Sequence, residues 1–570
     1  MTFLKLISST ALTALVLFPI AVSAQTVPDS VDAGRVDGRI KQTLQKQIRQ
    51  APLDIKGNAP FSAPANAEKI TLVLKDVSME GLSVYSADDI KPLYASKLNT
   101  KITLADVYAL AAALTTKYRN DGYILTQVIV PPQTIADGIV RLRVVEGSLD
   151  QIKVDGTGAQ GSNGDIINLY VGELKSKGVL NNKNLEKTLL LINDLPGVTA
   201  RSVLSPSKTV TGASDLTILV ERKAVEGNVA VDNFGSRFLG RWEVLGGFAL
   251  NSLLGQNERI SAQMAYAPSD QGFEPELLYG ELAATLPVGS YGTKLQANLG
   301  KSRTEPGAFL DQFDVKGTSY FSGLKVLQPI IRTRDTNLSA SLGLDRRSTK
   351  TKSNVDTNKD DDLTSLRLGS HFDFVDTAFS AAVTNTNLEI SQGLSILGAS
   401  KNGDADLSRP AGDVTYTKVT GDITRLERLT NSISLQTAIK GQLANGALLS
   451  AEEFGLGGAN GIGRGYDPSE IVGDDGVAGS LELQWATPYN VSWLDNYTAY
   501  TFYDIGKVMN DDASSTDVKT QSLASVGLGV RADIDSATRA GFMVAVPLTH
   551  DIAAENDNDA RVFVNFSRDF

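Results

Sequence analysis

From about residue 223 onward, apolar residues recur at every second position, and the spacing expected of a helix disappears. Leu295, Ala297 and Leu299 alternate with Lys294, Gln296 and Asn298. Leu338, Ala340, Leu342 and Leu344 alternate with Asn337, Ser339, Ser341 and Asp345. The same holds for Ile433, Leu435 and Ile439 against Ser434, Gln436 and Lys440, and for Val526, Leu528 and Val530 among Ser525, Gly527, Gly529 and Arg531. Each run is a strand with one apolar face and one polar or glycine face. A water-soluble sandwich has the same period, so the inner face must decide. Here it is small, wet and sometimes charged, which makes a poor packed core and a good lumen. The chain closes on Val562-Phe563-Val564-Asn565-Phe566 and a last residue Phe570, an ending common in outer-membrane barrels.

Hydropathy agrees with this reading. Residues 1–24 have the pattern of a secretory signal peptide: Lys5, an apolar stretch from Leu6 to Ala21, and small residues Val22-Ser23-Ala24 before Gln25. Beyond them no stretch approaches the roughly 20 apolar residues of a spanning helix. Mean hydropathy is −0.08, as expected where only alternate residues meet lipid. Cysteine is absent and only His371 and His550 occur, so thiolate or His-rich metal sites and a Ser-His triad have little raw material. No metal site, cofactor or enzymatic activity is expected. A net charge of −11 argues against a nucleic-acid partner.

Ahead of residue 223 the chain reads as three units. Residues 25–68 form a helix and linker: Val36, Ile40, Leu44 and Ile48 make a narrow apolar stripe flanked by Arg35, Arg39, Lys41, Lys46 and Arg49. Pro52, Pro60 and Pro64 then keep the chain extended. Residues 69–148 read as a β-α-α-β-β domain. Its first strand carries Ile70, Leu72 and Leu74, and its helix runs from the Thr103 cap to Tyr118. A strand from Tyr123 to Val130 stops at Pro131-Pro132, and an alternating strand follows through Val140, Leu142 and Val144. Residues 149–222 repeat that plan loosely, with a helix marked by Leu185, Leu189 and Ile192.

Two distant motifs carry the chemistry. Gly457-Gly458-Ala459-Asn460-Gly461-Ile462-Gly463-Arg464-Gly465-Tyr466 is a glycine-rich loop from which one cation projects. Forty residues later, Phe502-Tyr503-Asp504-Ile505-Gly506 lies on a strand. An inward carboxylate in a barrel is costly unless a cation meets it, and arginine suits that task with two parallel hydrogen bonds. Arg464 is therefore expected to fold into the lumen and pair with Asp504. Other signals fail: Gly156-Thr157-Gly158-Ala159-Gln160-Gly161 mimics a dinucleotide fingerprint without its acid, and no complete P-loop is present, so no nucleotide is expected.

The pairing of an R-G-Y loop with F-x-D-x-G on a wall strand resembles the superfamily of barrels that insert or secrete proteins across the outer membrane. Tyr118-Arg119-Asn120-Asp121-Gly122-Tyr123, Pro132-Gln133 and Glu146-Gly147 are similar to the first POTRA (polypeptide-transport-associated) domain of two-partner secretion transporters. Asn193-Asp194-Leu195-Pro196-Gly197-Val198 resembles the second, and Asp232-Asn233-Phe234-Gly235-Ser236-Arg237 the start of that family's barrel.

The resemblance implies a transmembrane antiparallel barrel of sixteen strands over residues 223–570, preceded by two small α/β POTRA domains. It also implies residence in the outer membrane of a Gram-negative bacterium, in contact with its lipid. The function implied is secretion of a large exoprotein (an adhesin, cytolysin or toxin); the alternative within the superfamily is an outer-membrane protein insertase. Arg464, Gly465, Tyr466, Phe502, Asp504 and Gly506 would form the lumen loop and its seat. Tyr123, Leu125, Gln127, Val128 and Ile129 of the first POTRA domain are the candidates for binding the partner. The Arg464 loop and segment 31–50 are the candidate plugs. The family usually has Val or Ile directly before the arginine, whereas Gly463 stands here, so the loop tip is expected to be looser or shifted by one position.

Overall fold

The computed structural model describes residues 29–44, 63–135, 137–175, 178–210, 212–270, 272–354, 358–487, 494–511 and 518–570. The signal-peptide reading of residues 1–24, Ile48 and most of the proline linker fall outside them. Sixteen antiparallel strands close into a barrel, the first, Val225–Asp232, pairing with the last, Arg561–Asp569. Closure removes every sheet edge, as a strand structure in lipid requires. Leu299, Leu324, Leu342, Leu368, Ile439, Leu481 and Leu528 point outward and are exposed. Their sequence neighbours line the lumen, so the period-two pattern becomes an apolar belt around a polar interior.

The strands differ in length. Thr336–Lys352 and Lys359–Asp376 run 17 and 18 residues, the first and last strands only 8 and 9. At the seam, Gly227 and Phe570 exchange backbone hydrogen bonds of 2.8 and 2.9 Å. A Cβ on Gly227 would stand 2.3 Å from the Phe570 ring, so the terminal aromatic needs a glycine beside it.

Both POTRA domains carry a three-stranded mixed sheet under two helices. The first helix expected from the Thr103 cap is Leu104–Asn120, with Asp106 completing a capping box. Val107, Leu110, Ala111, Leu114 and Tyr118 bury its inner face against Val128, Val140, Leu142 and Val144. Two expectations shift. The main sheet begins with Asp76–Glu80, while Thr71–Val73 pairs separately with Lys101–Thr103. The strand expected over Tyr123–Val130 is only Gln127–Ile129. The Tyr123 amide bonds back to the Tyr118 carbonyl at 2.8 Å and Thr126 to Tyr123 at 3.1 Å, so residues 123–126 turn instead of extending.

The domains are joined stiffly. Asn182 N donates to Gly122 O at 2.7 Å and Leu180 N to Gly147 O at 2.9 Å, linking first domain to second. Asp194 then receives a two-pronged contact from Arg332 on a barrel turn, at 2.7 Å to each oxygen, and its carbonyl accepts from Lys294 at 2.9 Å. These contacts mark the POTRA-facing end of the barrel. The connections at the other end, including residues 445–474, face away from it.

Candidate functional site: the occupied lumen

Residues 445–474 leave the barrel wall and fold back inside it. A short hairpin, Phe454–Leu456 with Ile471–Gly473, stiffens the loop, and Arg464 sits at the tip. Its Nε and Nη2 donate to the two oxygens of Asp504 at 2.9 and 2.8 Å. Nη2 also reaches Ser480 Oγ at 2.9 Å, and Nη1 pairs with Glu482. The amides of Gly463 and Arg464 each donate to Asp504 at 3.1 Å. Glu482 is shared with Arg531, whose Nη1 lies at 2.6 Å. With Asp504 fully buried, these contacts offset a desolvation cost that an unpaired carboxylate would carry in full.

The other motif residues make room for that contact. The Phe502 ring lies 3.5 Å from the guanidinium carbon and stacks beneath it. A Cβ on Gly506 would meet Leu456 of the returning hairpin at 2.5 Å, and one on Gly465 would meet Pro547 N at 2.8 Å. Tyr466 is fully buried, with its hydroxyl accepting from Thr549 N at 3.0 Å. Gly463 adopts φ +101°, where a Cβ would strike Leu523 at 2.7 Å, and Ile462 packs against the Phe454 and Tyr466 cluster in its place. Glu482, Arg531 and Ser480 were missed from sequence. Their only signal is that Ser480 and Glu482 alternate with Leu481 and Leu483 on one strand.

A second element fills the lumen. Helix Val36–Leu44 and the turns before it lie inside the barrel, with Val31, Val36 and Ile40 buried against Leu245, Ala265, Leu277, Tyr279 and Phe321. Ser302 Oγ donates to Ala33 O, and Arg347 to Gly34 O and, at 2.9 Å, to Asp37. Arg39 meets Glu243 at 2.6 Å and Lys41 meets Glu281 at 3.3 Å. Arg35 donates to the carbonyl of Glu453 at 3.2 Å, so the segment touches both the wall and the Arg464 loop's own base.

The candidate partner-binding residues scatter. Val128 is 4% exposed in the domain core. Tyr123 packs edge-on to Tyr118, and Leu125 packs against the core of the second domain. Gln127 and Ile129 lie on the edge strand, paired on one side by Val145 and Arg143. Burial alone would raise the Glu146 carboxyl nearby. Hydrogen bonds from Ser83, from Tyr118 at 2.6 Å and from the amides of Ser83 and Val84 bring it below its usual range.

A closed sixteen-stranded barrel with its lumen occupied by its own loop and N-terminal helix, and with POTRA domains at one end, defines an outer-membrane protein-transport pore. The family model of the haemolysin secretion/activation protein ShlB/FhaC/HecB matches residues 212–532, and that of the ShlB-type POTRA domain matches residues 72–147. The chain belongs to this family of two-partner secretion transporters and resides in the outer membrane with its POTRA domains in the periplasm. The heme/hemopexin transporter protein HuxB of Haemophilus influenzae is 24% identical over 485 residues, covering 82% of this chain and 81% of its own. The hemolysin transporter protein HpmB of Proteus mirabilis is 24% identical over 504 residues, covering 82% and 81%. Among solved structures, CdiB from Escherichia coli matches with a TM-score of 0.74 at 19% identity, covering 96% of this chain and 100% of that one. BamA from Haemophilus ducreyi, lacking POTRA domains 1–3, matches at 0.54 and 13%, covering 88% and 100%, and shares the fold alone.

Proposed function

We propose that this chain is the dedicated pore for one large exoprotein, which its POTRA domains capture unfolded and its barrel passes to the cell surface as an extended chain. The observation that carries this reading is the removable seal. The plug segment is joined to the wall through ion pairs, a few hydrogen bonds and an apolar seat for Val31, Val36 and Ile40, contacts which a competing chain can replace one at a time. The outer edge of Gln127–Ile129 is the docking strand, where a partner strand adds its backbone hydrogen bonds and replaces the Thr115 hydroxyl on the Val128 amide. Within that strand Gln127 and Ile129 would carry the contact, and Tyr123, Leu125 and Val128 support it from within. The Arg464–Asp504 pair holds the loop so that the lumen keeps its shape as the plug leaves. The chain performs no chemical step of its own; folding outside the cell draws the partner forward.

The test is quantitative proteomics of a deletion strain against its parent. Loss of one large protein from the culture medium, with other outer-membrane barrels unchanged, supports the dedicated pore. General depletion of outer-membrane barrels would show an insertase and overturn it.

A further inference from the structure

The barrel's first strands carry lumen acids whose cations are not on the wall. Asp232 and Glu243 stand directly opposite each other in the first strand pair, and each is 2% exposed. Like charges so placed repel and destabilise the pair unless a cation lies against them. Two strands further on, Glu281 also faces the plug and is 7% exposed. The cations that reach this strip come from the plug: Arg39 lies 2.6 Å from Glu243 and Lys41 lies 3.3 Å from Glu281.

Two features set this strip apart. The surroundings, Leu245, Ala265, Leu277 and Phe321, are apolar, which strengthens attraction for any cation that enters, while the Tyr279 hydroxyl donates to Glu281. Across the lumen the loop acid Glu452 keeps Arg367 and Lys418 and the wall's Asp345 keeps Arg367, while Arg347 loses Asp37 of the plug. Plug departure therefore uncovers a strip of carboxylates that has lost its cations, along with the single wall cation Arg347.

We propose that Asp232, Glu243 and Glu281 form a cation-recognition strip, held by Arg39 and Lys41 at rest and taken over by arginine or lysine side chains of the chain in transit. This rests on the transport reading and adds the partner's chemistry to it: the segment that displaces the plug is basic. In an extended chain, basic residues two apart share one face at a separation of about 7 Å. Such a segment presents consecutive cations to the strip as it slides past. The plug is then a stand-in for the cargo.

The test uses the purified full-length chain in planar lipid bilayers, with Arg39→Glu and Lys41→Glu together to drive the plug out. The expected result is a lasting, cation-selective conductance that is blocked by an unstructured Arg-Gly-Ser repeat peptide and not by a Glu-Gly-Ser repeat. Adding Asp232→Asn, Glu243→Gln and Glu281→Gln should weaken the block by about tenfold or more and lower the cation preference. These replacements keep side-chain shape, and heat-dependent mobility on gels checks that the barrel is assembled. Equal block by both peptides, or block that survives the neutralised strip, overturns the proposal. So does a plug that stays seated despite charge reversal. None of these outcomes touches the transport reading, which stands or falls on the deletion strain's medium.

Discussion

Arg464 serves two buried carboxylates at once, so removing it leaves Asp504 without a cation and Glu482 with Arg531 alone. An uncompensated buried charge costs about 3–5 kcal/mol. Arg464→Ala should therefore release the loop and reduce secretion to background while the barrel still assembles; exoprotein in the medium and heat-dependent gel mobility measure the two separately. Lysine cannot make the two-pronged contact, so Arg464→Lys should fall between the two. A third prediction concerns Glu146 and acid. Its folded carboxyl lies below the ordinary 4.5, so its contribution to stability is present above that value and is lost as pH falls through the folded one. Protection of the Ser83 and Val84 amides, with exchange referred to the intrinsic rate at each pH, should fall as pH drops below that value, and Glu146→Gln should flatten that dependence. The Arg464–Asp504 contact was legible in sequence because one loop cation and one strand acid had no other obvious partners. Glu482 was not, since a single inward acid on a lumen strand looks like any wet position.

Among the elements, the second POTRA domain meets the barrel turn through Asp194 and through Glu186, which accepts from Arg334 N at 3.0 Å. Asp194 joins Arg332 through its carboxylate and Lys294 through its carbonyl. A partly buried, two-pronged pair of this kind is worth more than a surface ion pair, of the order of 1.5–3 kcal/mol. Asp194→Ala should widen the distribution of distances between the POTRA domains and the barrel, measured by spin labels on the cysteine-free chain, and Arg332→Ala should do the same without adding to it. Independent, additive widening would show that the two residues do not act as a pair. Element types were readable where periodicity was long: the barrel strands, the helix after Thr103 and the helix over Asn182–Asn193. Boundaries failed where a turn competed with extension. The apolar run Tyr123–Val130 looks like one strand, but the backbone bonds of Tyr123 and Thr126 bend its first half.

At the scale of the whole molecule, a wet lumen and a short amphipathic helix could each be read from residue pattern, but their union was implied only by the family resemblance. The polar contacts that seat the helix join residues 204 to 418 positions apart, from Arg39 with Glu243 to Arg35 with Glu453. No local pattern encodes such distances. The account rests on the claim that this segment must leave for the partner to pass. Because the chain has no cysteine, a disulfide can test it cleanly. A Cβ on Gly317 would lie 3.1 Å from that of Ala33, close to the roughly 3.5–4.5 Å of a disulfide, with Thr304 Oγ1 crowding it at 2.4 Å. A variant carrying Ala33→Cys, Gly317→Cys and Thr304→Ala joins plug to wall. The measurement is exoprotein released under oxidising and then reducing conditions. The account predicts no secretion while the bond is closed and recovery once it is reduced; secretion that continues with the bond fully formed would contradict it.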